Sequence, residues 1–206
     1  MVSVAAVVVG GANMADLQQA FERHLVRSRF FATQDKVVVA VSTGVDSMVL
    51  LDLLQHLPLK YRPQIIVAHM NHELRKQSQL EERFIRQYCK QNDLKLAVAH
   101  WPQDLHPQTG VENAARQARY QFFREVMKDN QASILLTAHH QNDLAETMLM
   151  KMARGGQLSQ LVGIRDRRPF ASGTLIRPLL PFSKQQLKKY ALQHHLKWYE
   201  DKTKKD

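Results

Sequence analysis

Past residue 14 the chain alternates short runs of β-branched apolar residues with longer stretches whose apolar positions recur every three or four residues. This alternation restricts the fold more than any other feature. Leu17, Phe21 and Leu25 mark a first helix, and Lys36 to Val41 reads as a short buried strand. A helix follows from about Asp46 to Leu57, then a second strand over Gln64 to His69. Gln79 to Lys90 reads as a helix, Lys95 to His100 as a third strand, Val111 to Lys128 as a long amphipathic helix and Ser133 to Thr137 as a fourth strand. A helix starting near Asn142 should stop at Gly155 and Gly156, because glycine readily takes the left-handed conformation that ends helices. Strands and helices in this order predict an α/β fold, a doubly wound parallel sheet with helices on both faces. Such sheets bind ligands beyond the carboxyl ends of their strands.

Beyond Gly156 the pattern loosens. Arg165, Arg167, Arg168 and Pro169 read as a loop and Thr174 to Leu180 as a short segment. Ser183 reads as the N-cap of a helix over Lys184 to His194. Met1 to Asn13 is expected to be an extension or alternative start, partly disordered. The charged ending, Lys202 to Asp206, has no closing pattern and suggests that further C-terminal domains are missing.

Charge is unevenly distributed. Lys and Arg number 16 against 15 Asp and Glu in residues 1–150, but 13 against 4 in residues 151–206. A basic excess gathered in one segment suits a polyanion-binding surface, and equally a solvated basic face. With 44% hydrophobic and 23% charged residues the composition excludes a disordered chain, and no apolar run approaches the roughly 18 residues of a membrane span. The single cysteine, Cys89, excludes an internal disulfide and a Cys-rich zinc site. It fits a reducing compartment, so a cytoplasmic location is expected.

Four polar clusters fall at the expected strand ends. Ser42-Thr43-Gly44-Val45-Asp46-Ser47 joins the first strand to a helix, where backbone N–H groups, hydroxyls and the helix dipole can converge on a phosphate. The usual P-loop is excluded, because no Gly-Lys-Ser/Thr follows. Asp46 in such a cradle implies a divalent ion between carboxylate and phosphates, although a plain capped turn would use the same residues. His139 to Thr147 opens the helix after the fourth strand. Asp143 and Glu146, three apart, share a helix face and could hold a metal, a substrate ammonium group or both; the plain alternative is capping by Asn142 or Asp143 with His139 and His140 facing solvent. His-Glu-x-x-His is absent, so a zinc protease is excluded. His69 and Asn71 follow the second strand, where an adenine or ribose could sit. Arg116 and Arg119 could meet phosphates or a developing oxyanion, or form surface salt bridges.

Taken together, Ala40 to Ser47, Ala68 to Arg75, Glu112 to Phe123, Thr137 to Thr147, Arg154-Gly155, Leu161 to Ile164 and Arg177 to Leu180 resemble the PP-loop family of ATP pyrophosphatases, with its Ser-Gly-Gly-x-Asp-Ser signature. Within it they are similar to the tRNA(Ile)-lysidine synthetase branch, from Lys36 to Asp201. Thr43 departs from the usual glycine, which would either tighten the cradle or demand a backbone conformation costly for a β-branched residue. Asn142 stands where many members carry a second Asp.

The resemblance implies an adenine nucleotide alpha hydrolase-like fold and a PP-loop ATP-binding catalytic domain over residues 14–206, basic from about 151. It implies an ATP-dependent carbon–nitrogen ligase that adenylates C2 of the wobble cytidine of tRNA(Ile) with a CAU anticodon and then joins L-lysine. Ser42 to Ser47 would hold pyrophosphate, Asp46 and Asp143 would manage Mg2+, and Arg116 or Arg119 would stabilise charge. Asp143 and Glu146 would attract the lysine ammonium. Other expectations are no membrane association and, as one candidate assembly, a homodimer. Sulfur-inserting relatives generally need two or more cysteines, and ammonia-using synthetases lack the basic excess. A non-catalytic ATP-binding regulator is the alternative of a different class.

Overall fold

A computed structural model of the chain describes residues 15–73, 77–153 and 165–200. Met1 to Asn13, the helix stop at Gly155 and Gly156, Leu74, Arg75, Leu161 to Ile164 and Lys202 to Asp206 lie outside the described residues. Six helices and six strands follow in the order α1 (Ala15–Ser28), β1 (Lys36–Ala40), α2 (Val45–Gln55), β2 (Gln64–Asn71), α3 (Ser78–Gln91), β3 (Lys95–His100), α4 (Val111–Asp129), β4 (Ile134–Leu136), α5 (Gln141–Ala153), β5 (Arg167–Phe170), β6 (Gly173–Ile176) and α6 (Lys184–Gln193).

The strands form one sheet in the order β3-β2-β1-β4-β6-β5. All neighbours are parallel except β5 and β6, which form an antiparallel hairpin at one edge. The expectation of an α/β sheet with helices on both faces holds, with two corrections. Arg167 to Phe170 is a strand rather than a loop, and the sheet is mixed at that edge. β5 pairs only with β6, so Pro169 breaks no interior ladder. Gly173 starts β6 so close to its neighbour that a Cβ there would lie 2.0 Å from the carbonyl oxygen of Ser133.

Alternate residues of β1 face opposite layers, as a pleated strand requires. Val37 and Val39 join one core with Phe21 of α1, Leu50 of α2, Ile85 of α3 and Leu187 of α6. Val38 joins the other with Phe122, Phe123 and Val126 of α4. Tyr190 of α6 donates to the buried Asp52 Oδ2 at 2.8 Å, and His56 Nδ1 lies 3.4 Å from the same oxygen, so this core carboxylate is partnered. Ser183 caps α6 in a full capping box with Gln186.

The chain winds outward from β1 through β2 to β3, then returns to place β4 on the other side of β1. β1 and β4 therefore flank the point where the winding reverses, the place where an open α/β sheet leaves a crevice for a ligand. The loops leaving these two strands carry Ser42 to Ser47 and His139 to Asp143. Among the described residues no helix is long and apolar enough to cross a membrane.

Candidate active site

A cleft of about 1010 Å³ opens at the carboxyl ends of the strands. Ser42, Gly44, Asp46 and Ser47 form its floor at the end of β1, and His69 and Asn71 enter from β2. Arg116 and Arg119 come from α4, and His139 and Asp143 from the β4 side. The structure thus gathers most of the residues singled out in the sequence around one space. Glu146 is exposed and does not line it, although it lies one turn beyond Asp143 on α5. Thr43 is fully buried beneath the loop, and Thr43 and Val45 do not face the cleft.

The loop after β1 is no ordinary capped turn. Gly44 occupies the N-cap position of α2 and no side chain caps the helix. The Ser47 hydroxyl donates to the Gly44 carbonyl at 2.9 Å, and the Ser42 and Ser47 Oγ atoms are 3.4 Å apart. The first N–H groups of α2 therefore stay available for an anion, with the positive end of the helix dipole behind them. Thr43 adopts φ +65°, the left-handed conformation that a glycine takes freely and a β-branched residue does not. Two hydrogen bonds hold it there. Its Oγ1 donates to the Ser42 carbonyl at 2.6 Å, and its own carbonyl accepts from the N–H of Tyr199 at 2.9 Å.

Across the floor, His140 stands between two carboxylates. Its Nε2 lies 3.5 Å from Asp46 Oδ2 and its Nδ1 lies 3.3 Å from Asp143 Oδ2, with only 4% of its side chain exposed. Burial lowers its pKa, but the hydrogen bond to Asp46 and the charges of Asp143 and Asp46 outweigh burial and leave it raised. Asp143 Oδ2 also accepts from the His140 N–H at 2.9 Å, fixing the turn into α5. Asp46 Oδ1 is buried and has no hydrogen-bond partner among the described residues. Sequence reasoning placed His140 in the right cluster but gave it no role, since nothing distinguished it from His139.

His139 differs sharply from its neighbour. Its Nδ1 is 2.9 Å from Thr137 Oγ1, and burial, then the cations Arg177, Arg116 and Arg119, push its pKa down to about 4 despite Asp143. Arg119 is likewise lowered by burial, then by Arg116. The buried Arg177, which the sequence offered only as part of a motif, joins this cationic wall. Its Nη1 donates to the Arg165 carbonyl at 2.7 Å. His69 Nδ1 donates to the Val41 carbonyl at 2.9 Å, which ties β2 to the start of the phosphate loop. Asn142 points away from the cleft chemistry. Its Oδ1 accepts from the Lys184 N–H at 2.9 Å and links the start of α5 to the start of α6.

A crevice at the strand ends, lined by the loop after β1, two arginines of α4 and the carboxylates Asp46 and Asp143, is the ligand-site arrangement of a doubly wound α/β protein. The match to known families is consistent with this geometry. Residues 14–206 fit the model of the PP-loop domain, and the chain belongs to that family.

The chain is 56% identical over 188 residues to a tRNA(Ile)-lysidine synthase from Lactiplantibacillus plantarum, covering 91% of this chain and 42% of that protein. It is 45% identical over 174 residues to a tRNA(Ile)-lysidine synthase from Enterococcus faecalis, covering 84% of this chain and 37% of that one. The chain thus spans about two fifths of the length of these curated relatives. Among solved structures, a U34-tRNA thiolase from Methanococcus maripaludis superposes with a TM-score of 0.71 at 16% identity, covering 94% of this chain and 68% of that one. An NH3-dependent NAD synthetase from Campylobacter jejuni gives 0.57 at 11% identity, covering 90% and 75%. These two share the fold.

Proposed function

We propose that the chain carries the adenylating site of a tRNA(Ile)-lysidine synthase, which joins L-lysine to C2 of the wobble cytidine of a tRNA with a CAU anticodon. The observation that carries this reading is the placement of the Ser42–Ser47 loop opposite Arg116 and Arg119 in one cleft, within a chain 56% identical to a protein of that name.

In the first step the C2 oxygen of cytidine attacks the α-phosphorus of ATP. The new O–P bond forms as the bond to the bridging oxygen breaks, and pyrophosphate leaves. The loop N–H groups and the Ser42 and Ser47 hydroxyls hold the departing pyrophosphate, while Arg116 and Arg119 offset the charge that builds on its oxygens. In the second step the lysine ε-amine attacks C2 and AMP departs. Asp143, in the cleft, attracts the ammonium group and takes its proton, and Glu146 adds a second negative charge on α5. The unpartnered Asp46 Oδ1 suits a cation, and Asp46 with Asp143 would hold Mg2+. Among the described residues no group of three or more His, Cys, Asp or Glu is placed to hold a metal alone, which suits an ion that keeps waters and phosphate oxygens as its other ligands. Mg2+ would neutralise phosphate charge there.

Cys89 supports this reading over thiolation. It is buried in the core on α3, and burial pushes its thiol up to about 12, so it is not a reactive thiolate. Incubation with ATP, labelled lysine and isoleucine tRNA, followed by nucleoside analysis, tests the proposal. Lysidine and AMP are the expected products. ATP binding with no AMP formed in the presence of both co-substrates would instead mark a nucleotide sensor.

A further inference from the structure

Beside the cleft lies a smaller groove of about 260 Å³ where α4 meets β5. Asn113, Arg116 and Tyr120 line both, so the two spaces share a wall. Arg116, Tyr120 and Arg124 recur every four residues and form one stripe along α4. Arg168 and Phe170 are two apart on β5 and face the same side. Four helical residues rise about 6 Å and two strand residues about 6.8 Å, so the stripes run in step.

The side chains interleave accordingly. Arg116 Cζ lies 5.0 Å from the Tyr120 ring centroid, Arg168 Cζ lies 5.6 Å from both the Tyr120 and Phe170 rings, and Arg124 Cζ lies 5.4 Å from Phe170. The two rings are 5.5 Å apart at 66°. Among the described residues the hydrogen bonds of the Arg124 and Arg168 guanidiniums are neutral, to Gln121 Oε1 and to the Pro169 carbonyl. Among the described residues no carboxylate forms an ion pair with any of the three guanidiniums.

Three like charges on one wall repel each other, and among the described residues no ion pair offsets that repulsion. A polyanion would. The rings narrow the choice of polyanion, because alternating guanidinium planes and aromatic faces match the flat bases and phosphates of single-stranded nucleic acid. An acidic peptide would pair with the edges of the guanidiniums but has no flat base to stack on their faces.

We propose that this groove holds the nucleotide adjacent to the reacting base of a single-stranded RNA loop. Its base stacks on the guanidinium planes that lie over Tyr120 and Phe170, and its phosphate pairs with Arg124 or Arg168. The inference rests on the adenylation reading above, which places the neighbouring base in the cleft.

The test uses the chain with an RNA hairpin carrying a CAU loop, followed by fluorescence anisotropy, and a parallel ATP titration. The Arg124→Ala/Arg168→Ala double variant should bind the hairpin at least about tenfold more weakly, with ATP affinity and melting temperature unchanged. Arg124→Lys/Arg168→Lys should restore the salt dependence of binding but only part of the affinity, since lysine keeps the charge and loses the plane. The proposal is overturned if the alanine double variant binds the hairpin as the parent does, or if the lysine variant recovers full affinity. It is also overturned if the parent binds polyaspartate as tightly as the hairpin, or does not bind the hairpin. A parent that binds the hairpin through these arginines but does not bind ATP would keep the groove and remove the adenylation reading.

Discussion

The backbone N–H of Tyr199 donates to the carbonyl of Thr43 at 2.9 Å, so the segment after α6 holds the loop between β1 and α2 from behind. Thr43 needs this support, because a β-branched residue at φ +65° carries strain of about 1–3 kcal/mol. The Tyr199 ring packs edge-on against Phe84 at 5.5 Å, which anchors the donor. Tyr199→Pro, which deletes the N–H, should lower stability by at least about 1 kcal/mol and weaken ATP binding several-fold. Tyr199→Phe keeps the N–H and the ring and should change neither. Thermal unfolding and an ATP titration on the three proteins check this, and equal ATP affinity in all of them would disprove the support role.

His140 reports on Asp46. Its pKa stays raised only because Asp46 and Asp143 face it from two sides, so Asp46→Asn should lower the His140 titration midpoint, as followed by NMR. In the proposed reaction the same variant should slow AMP formation by about a hundredfold or more, a size typical for a lost electrostatic contact in a transition state. A slowed reaction with an unmoved His140 midpoint would disconnect the two residues.

The strands that could be read from sequence are runs of apolar residues. Val37 to Val39 and Ile65 to Ala68 are apolar and largely β-branched because helices cover both sides of the sheet there. Lys95 to His100 stands at an edge with none of its residues fully buried, and it is legible through the apolar run Leu96 to Ala99. β5 was not legible, since Arg167 to Phe170 holds two arginines and a proline and buries a single residue, leaving no apolar run and no periodic pattern. At the cleft, strand-end position brought out Asp46 and Asp143, while Arg116 and Arg119 came from their place on the helix before β4, and all four line the same space. Glu146 shared the right helix face, yet one further turn carries it out of the cleft. The Tyr199–Thr43 bond and the stacking of Arg168 on Tyr120 join segments far apart in the chain, and no local spacing encodes them.

Gly173 is required by closeness. A Cβ there would sit 2.0 Å from the Ser133 carbonyl oxygen and 2.7 Å from its carbon, both backbone atoms that cannot swing aside. Gly173→Ala should force β6 from β4 and lower stability by about 1–3 kcal/mol, measured by urea unfolding. Because the clash lies at the start of β6, away from the cleft, ATP affinity below the melting transition should be retained. An unchanged unfolding midpoint would contradict the close approach.

His139 predicts a dependence of stability on pH with a definite sign. Burial and the neighbouring arginines hold its folded pKa at about 4, below the 6.5 of an unfolded histidine. Between these values the unfolded chain binds the extra proton and the folded chain does not, so stability falls as pH drops from 6.5 towards 4. The loss should reach about 2 kcal/mol after allowing for the partial exposure of the ring. His140 has the opposite shift. Its contribution is fully present below pH 6.5 and is lost as pH rises through its raised folded pKa, so it adds no slope in the acidic window. His139→Asn should therefore flatten the curve between pH 6.5 and 4, while other acid-sensitive groups keep their share. Urea unfolding of both proteins at a series of pH values measures the difference, and parallel curves would show that His139 titrates normally in the folded state.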